Sequence, residues 1–282
     1  MSLITFYNIY MKLIVKVPGS CGELAQGMLN NKPFLITCPI NLFTTVTISD
    51  EFRGRVGLGW KSKLMLKRTL EYLDCHKFNF GITIESELLH GKGMASSSAD
   101  IAAVAKAAAL ALGDNLTAVE IASLATSIEP TDGIFYNGIV AMNPVSGKIL
   151  HRFDVVPKYK IAIFDFGSKV NTLNFQRRSN LYLREIPLNL DLNLATTSAL
   201  ANQSILYKDK LREIIQLSKS LGAIGVNAAH TGTVIGIIFP ENVDIVDVNL
   251  RSNIISNAFH HIKFLKAVNL ISGGFNIISN ER

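Results

Sequence analysis

The chain has 282 residues, 48% hydrophobic and 18% charged, and its 28 Lys plus Arg against 22 Asp plus Glu give a formal net charge of +6. That length supplies ample core for one large domain or two moderate ones, and that composition excludes long disorder. The positive balance favours anionic partners, but no dense basic block and no basic–aromatic interleaving supports nucleic-acid binding, so a small anionic ligand is the expected partner.

No apolar run reaches the ~18 residues of a transmembrane helix, and the start MSLITFYNIY lacks the basic residues and cleavage site of a signal peptide. Cys21, Cys38 and Cys75 are scattered, with no CxxC pair and no histidine cluster beside them, so neither a disulfide framework nor a zinc site is suggested. The expectation is a cytoplasmic protein with reduced thiols, no membrane contact, and a segment before Met11 of little structural role.

In chain order, Lys12 to Val17 alternates like a half-buried strand and is expected to end in a loop at Pro18-Gly19-Ser20-Cys21-Gly22-Glu23. A second turn at Asn30 to Pro33 precedes more strand, including Phe43 to Ile48. Leu64, Leu66, Leu70 and Leu73 among charged residues predict an amphipathic helix over Lys61 to Leu73. Gly81 to Glu85 reads as a short strand. A Gly/Ser loop and an Ala-rich helix ending at Gly113 come next. Thr117 and Glu120 form a capping box that opens a helix to about Ile128. It stops at Glu129-Pro130-Thr131-Asp132-Gly133, a turn with two carboxylates three residues apart.

Gly138 to Met142 and Ile149 are strand-like, and near Lys158 the pattern restarts with a strand at Ile161 to Asp165. Lys169, Arg177 and Arg178, in the polar loop from Gly167 to Asn180, either reach a ligand or are solvated charges. Helices are expected at Thr196 to Tyr207 and at Leu211 to Leu221. A small-residue loop from Gly225 to Thr233 leads into a strand at Val234 to Phe239. The last strands are expected at Lys263 to Val268 and Phe275 to Ile278. The order suggests an α+β chain in two sub-domains with a boundary near Val155 to Tyr159.

The chemically informative stretch is Gly91-Lys92-Gly93-Met94-Ala95-Ser96-Ser97-Ser98, between a strand and a helix. Strand, glycine-rich loop and helix N-terminus direct backbone N–H groups and a positive helix end at one spot, which suits a phosphate. A serine hydroxyl there either caps the helix or reaches a bound Mg²⁺. No Gly-Lys-Ser/Thr closes the loop and no three-glycine spacing is present, so it is neither a Walker A loop nor a dinucleotide fingerprint. By itself the loop reads equally as an ordinary capped helix start, and Asp132 equally as a turn residue.

Three pieces in fixed order, PGSCGELAQG at Pro18 to Gly27, GKGMASSSAD at Gly91 to Asp100 and NAAHTGT at Asn227 to Thr233, together resemble the GHMP small-molecule kinases. Within that group the match is nearest to the L-threonine kinases of cobalamin biosynthesis, which also share the Glu-Pro-Thr-Asp element at Glu129 to Asp132. The resemblance implies an α+β, two-domain fold: an N-terminal α/β domain over residues 1–157 and a ferredoxin-like C-terminal domain over 158–282, with the active site between them. It implies ATP phosphates over Gly91, Lys92, Gly93, Met94, Ala95, Ser96, Ser97 and Ser98, Mg²⁺ held by Ser97 and Glu129, and Asp132 as acceptor of the substrate hydroxyl proton. Glu23, Thr231 and Gly232 would lie near substrate or phosphates, and L-threonine is the implied substrate. Homoserine, or a non-catalytic nucleotide-binding regulator, are the alternatives.

Three positions depart from the family pattern. Ala95 stands at a family glycine, Ser98 at an alanine, and Ser20 where several relatives carry a lysine.

Overall fold

The structure, a computed structural model, describes residues 11–167 and 181–279. It begins with two long strands, β1 (Lys12–Leu29) and β2 (Lys32–Ser49), paired antiparallel from Lys12↔Ser49 to Leu29↔Lys32. Asn30 and Asn31 join them with φ of 47° and 63°, the left-handed pair that a tight hairpin turn requires and asparagine tolerates. The loop expected at Pro18 to Glu23 is not a loop. The strand runs through it with irregularities at Pro18/Gly19, Ser20/Glu23 and Glu23/Ala25. Bulges admit the proline, which has no N–H to give, and re-aim the chain without ending it.

The remaining elements follow in order. They are β3 (Arg55–Val56), α1 (Trp60–Tyr72), β4 (Gly81–Ser86), α2 (Ser96–Ala111), α3 (Ala118–Ile128), β5 (Ile139–Met142), β6 (Ile149–Phe153), β7 (Lys160–Asp165) and β8 (Tyr182–Leu183). Then come α4 (Leu192–Ala201), a 3₁₀ turn at Asn202–Ser204, α5 (Leu211–Ser220), β9 (Gly225–Ala228), β10 (Val234–Phe239), α6 (Ile245–Ala258), β11 (Lys263–Asn269) and β12 (Asn276–Ser279). Among the described residues the strands form one sheet in the order β11-β7-β10-β9-β1-β2-β4-β3. β12 and β8 are added on β1, β5 pairs β2, and β6 pairs β5. The last strand thus returns to the first, Leu13 facing Ser279 and Lys16 facing Asn276.

Helix α2 lies against β1 and β2 with α1 and α3 beside it. Ala99, Ala102, Ala103, Ala105, Ala107, Ala108 and Ala109 are all buried, so the helix is apolar nearly all round and its small side chains let it approach the sheet closely. The capping box that opens α3 is formed: Thr117 Oγ1 accepts the Glu120 amide at 3.3 Å, and the Glu120 carboxylate accepts the Thr117 amide at 2.7 Å. Such a cap contributes about 1 kcal/mol. A second apolar cluster, including Phe164, Ile214, Ile237, Phe239 and Val248, joins α5 and α6 to the other end of the sheet.

Two further expectations are corrected, and three elements, α6, β3 and β8, were not foreseen from the sequence. α4 starts at Leu192, where the Asp191 carboxylate accepts the Asn193 amide at 2.8 Å, and it gives way to a 3₁₀ turn instead of reaching Tyr207. Gly225 to Ala228 is strand, so the small-residue loop is confined to 229–233. α6 carries no clear apolar stripe, because Val246, Leu250 and Ile254 are exposed while Val248, Ser252 and Ile255 are buried, and its periodicity is hidden. The two-residue strands β3 and β8 are too short to leave a pattern. The expectations for residues 1–10 and for Lys169, Arg177 and Arg178 lie outside the described residues.

Candidate active site

The loop between β4 and α2 is clamped from two sides. Ser20 N donates to Met94 O and Gly22 N to Gly93 O, both at 3.0 Å, while Thr233 N and Val234 N converge on Lys92 O at 2.9 and 3.1 Å. The first motif and the last motif therefore meet on the middle one. Gly93 has φ +86°, and a Cβ there would lie 2.2 Å from Ala229 Cβ. A Cβ on Gly232 would lie 2.3 Å from Gly93 N and Lys92 O. Gly232 is thus a packing glycine that lets the two loops touch.

Ala95, the residue before α2, takes φ 54° and ψ 23° and makes no side-chain cap. Of the two readings of the serine hydroxyls, capping of the helix is not what the structure has. The first bond of the helix ladder runs from Ala99 N to Ala95 O at 2.9 Å, which leaves the amides of Ser96, Ser97 and Ser98 outside the ladder. These residues line a cavity of about 320 Å³, together with Gly91, Gly93, Met94, Ala95, Glu129, Asp132 and Thr231. Ten of the expected site residues therefore share one cavity.

Within it, Ser97 Oγ donates to Glu129 Oε1, and the other carboxylate oxygen, Oε2, is bonded to Lys61 Nζ. Ser98 Oγ donates to Asp132 Oδ2 at 3.2 Å and accepts the Asp132 amide at 3.1 Å. The turn Glu129 to Asp132 presents its carboxylates side by side because Glu129 leaves α3 in extended backbone, and the Thr131 amide is then held by Pro144 O at 2.9 Å. The two carboxylates thus have different neighbours, Glu129 beside the Ser97 hydroxyl and the Lys61 ammonium, Asp132 beside the Ser98 hydroxyl.

Three expected residues lie elsewhere. Lys92 turns away, its ammonium 2.7 Å from Asp165 Oδ2 and also bonded to Gly167 O. Glu23 is buried, and its Oε2 lies 3.1 Å from both the amide and Nδ1 of His230. His230 Nε2 is 3.0 Å from Ser198 Oγ, so a serine, a histidine and a glutamate stand in line. That line is not a hydrolytic triad: Ser198 Oγ is fully buried and already accepts the Gln26 amide at 2.9 Å. It ties β1, α4 and the 229–233 loop together. Gly232, as described above, packs against the phosphate-loop backbone.

The lining residues that sequence reasoning did not single out include Trp60, Lys61, His90 and Asp100. Asp100 stood inside the quoted middle motif. Burial pushes its carboxyl above the ordinary range, partly opposed by the Thr44 hydroxyl that donates to it at 2.8 Å and by nearby His90. Lys61 carried no local signal, since its partner lies 68 residues away. Ser20 plays a structural part, its hydroxyl lying on the carbonyls of Gly22 and of Cys38, the latter at 3.0 Å.

Among the described residues no group of three or more His, Cys, Asp or Glu side chains gathers as a metal cage. The hard oxygen pair Ser97–Glu129 nevertheless suits Mg²⁺, which keeps most of its shell as water and phosphate and takes one or two protein ligands. The donor set fits.

Residues 62–138 match the family described as GHMP kinases N terminal domain. The chain is 28% identical to an L-threonine kinase of Citrobacter freundii over 259 residues, covering 83% of this chain and 88% of that protein. It is likewise 28% identical over 247 residues to an L-threonine kinase of Salmonella typhimurium, covering 80% of this chain and 82% of the relative. In three dimensions it resembles a mevalonate kinase (TM-score 0.66, 15% identity, 91% of this chain and 99% of that one). It also resembles a homoserine kinase of Cytophaga hutchinsonii (TM-score 0.64, 14% identity, 95% and 97%). These two likenesses show the fold. No helix among the described residues is long and apolar enough to cross a membrane.

Proposed function

We propose that this chain, which has the fold of the GHMP kinases and matches their N-terminal domain over residues 62–138, is an ATP:L-threonine kinase that forms O-phospho-L-threonine. One observation carries the chemistry: the Ser97–Glu129 pair and the Ser98–Asp132 pair open on the same 320 Å³ cavity, floored by the N-terminus of α2. The two L-threonine kinases similar over four fifths of the chain supply the substrate reading. The resemblance to cobalamin-pathway kinases would put the product into that pathway. The reading divides the chain into a domain over 1–157 and another over 158–282, in a cytoplasmic enzyme.

In this mechanism the backbone of Gly91 to Ser98 and the free amides of the first turn of α2 hold the phosphates of ATP. Ser97 and Glu129 would hold Mg²⁺, which supplies charge neutralisation to the phosphate oxygens when bound. Asp132 takes the proton of the substrate hydroxyl as that oxygen bonds to the γ-phosphorus and the bond to the ADP oxygen breaks. Ser98 fixes the rotamer of Asp132 so that the carboxylate needs no reorganisation. Thr231 closes the cavity from the C-terminal side, and the Glu23–His230 pair anchors its loop.

The test is to incubate the protein with Mg-ATP and, separately, L-threonine, L-homoserine, L-serine and no acceptor, following ADP and identifying the phosphorylated product. Threonine-dependent ADP with O-phosphothreonine is the expected result. Turnover on homoserine alone would keep the kinase and replace its substrate. Nucleotide binding without turnover on any acceptor would make the chain a regulator of the same fold.

A further inference from the structure

Lys61 is the second residue of α1, an odd place for a lysine because a helix N-terminus already carries partial positive charge. No acidic residue in the first turn of α1 compensates it. Its ammonium instead crosses to Glu129 Oε2, with side-chain exposures of 17% and 12% in the pair. Gly59, Trp60, Lys61 and Ser62 all line the cavity, so the starts of α1 and α2 border the same space.

Charge bookkeeping shows why this contact matters. Among the described lining residues there are three carboxylates, Asp100, Glu129 and Asp132, and Lys61 is the sole lysine or arginine. The lysine inside the phosphate loop itself, Lys92, is drawn off to Asp165 and Gly167. Ser20, at the position where several kinases of the resembled group carry a lysine, brings no charge, and its hydroxyl is bonded to two carbonyls. A polyphosphate entering such a cavity meets carboxylates on one side and needs a fixed cation on the other.

We propose that Lys61 is the phosphate-contacting cation of this site, held on Glu129 while the site is empty and transferred to phosphate oxygen when a divalent cation takes that carboxylate. The inference rests on the nucleotide-binding reading above. Glu129 bears one negative charge, which Lys61 neutralises in the structure. A divalent cation on the same oxygens competes with the ammonium and repels it, and the nearest new anion is the phosphate chain over Gly91 to Ser98. Lysine suits the exchange because its point charge sits on a flexible four-carbon stem. The contact is therefore a competitor for metal and a ligand for nucleotide.

Those two roles have opposite signs on substitution. The experiment measures binding of Mg²⁺–AMP-PNP by calorimetry and of Mn²⁺ alone by electron paramagnetic resonance, for wild type, Lys61→Met and Lys61→Arg. Thermal melts accompany each variant, and Lys61→Gln takes the place of methionine should that variant fail to fold. Lys61→Met is expected to weaken Mg²⁺–AMP-PNP at least tenfold while leaving Mn²⁺ binding equal or tighter, and Lys61→Arg is expected to keep nucleotide affinity within threefold. Unchanged nucleotide affinity in Lys61→Met overturns the proposal. Weakening of both ligands also overturns it, because Lys61 would then only position Glu129. Failure of wild type to bind the nucleotide removes the kinase reading first, and this inference falls with it.

Discussion

A single hydroxyl holds Asp132 at both ends: Ser98 Oγ accepts its amide at 3.1 Å and donates to its carboxylate at 3.2 Å. The two residues are 34 apart in sequence, and the pair ties the first turn of α2 to the turn after α3. Ser98 is itself buried, so the aspartate is held by a group that cannot move away. An alanine at this position could make neither bond, so the serine has a structural use.

From that relationship comes a paired prediction. Asp132→Ala is expected to lower kcat by about 10² to 10⁴ while nucleotide affinity stays within a few-fold, the range of a lost general base. Ser98→Ala is expected to lower kcat about tenfold with KM for ATP unchanged. It also costs about 1–3 kcal/mol of stability, because the Asp132 amide loses its partner. Steady-state kinetics with denaturant melts reads both. An Asp132→Ala enzyme within a few-fold of wild type in kcat removes the proton-acceptor role.

The contact between the two loops is tested at Gly232. A Cβ there meets Gly93 N and Lys92 O at 2.3 Å, and both are backbone atoms that no rotamer change can move. Gly232→Ala is expected to cost about 1–3 kcal/mol, the range for overpacking, and to weaken nucleotide binding by displacing Gly93. A variant as stable as wild type, with the same nucleotide affinity, would mean that the loops are free to separate.

Ala95 offers the opposite substitution. Its φ of 54° lies in the left-handed region, which costs an L-residue roughly 1–2 kcal/mol. Ala95→Gly removes that strain, less about 0.4–1 kcal/mol for the more flexible unfolded chain. Stability is expected to stay level or rise by up to about 1 kcal/mol in urea titrations, with nucleotide affinity retained. A loss above 1 kcal/mol would show that packing of the buried Ala95 methyl outweighs the strain.

Gly91 to Ser98 and Glu129 to Asp132 each read locally as an ordinary helix start and turn; their fixed order with the other motifs singled them out, and the structure brings them to one cavity. The capping box at Thr117 located α3 correctly because its signal is local. What was illegible depends on distance. Pro18 to Glu23 looked like a loop because proline and glycine punctuate strands locally, whereas pairing along β2 carries the strand through on bulges. Lys61 had no motif of its own and acquires meaning only when α1 is laid beside the end of α3. Lys92 sat inside the motif, but Asp165, on β7, claims its charge. Glu23 reads as a site residue by its motif and is buried against His230, whose partners are as remote as Ser198.

The last prediction concerns pH and the floor beneath the 229–233 loop. Lys208 is buried and donates to Ala229 O at 2.9 Å. Burial pushes its ammonium down to about 8, against the opposing pull of the Glu23 carboxylate. Below pH 8 both folded and unfolded chains hold this proton, and the folded state bears the cost of a buried charge. Between about 8 and the ordinary lysine value of 10.5 the folded chain has released the proton while the unfolded chain retains it, so this group makes stability rise with pH across that window. The gain is on the order of a few kcal/mol. Lys208→Met removes the titrating group, and its stability is expected to rise less steeply, or fall more steeply, than that of wild type between pH 7.5 and 10. Urea melts of both proteins at four pH values in that range measure the difference. Parallel curves would mean that Lys208 titrates as it does in water, and that the loop above it rests on hydrogen bonding without a buried charge.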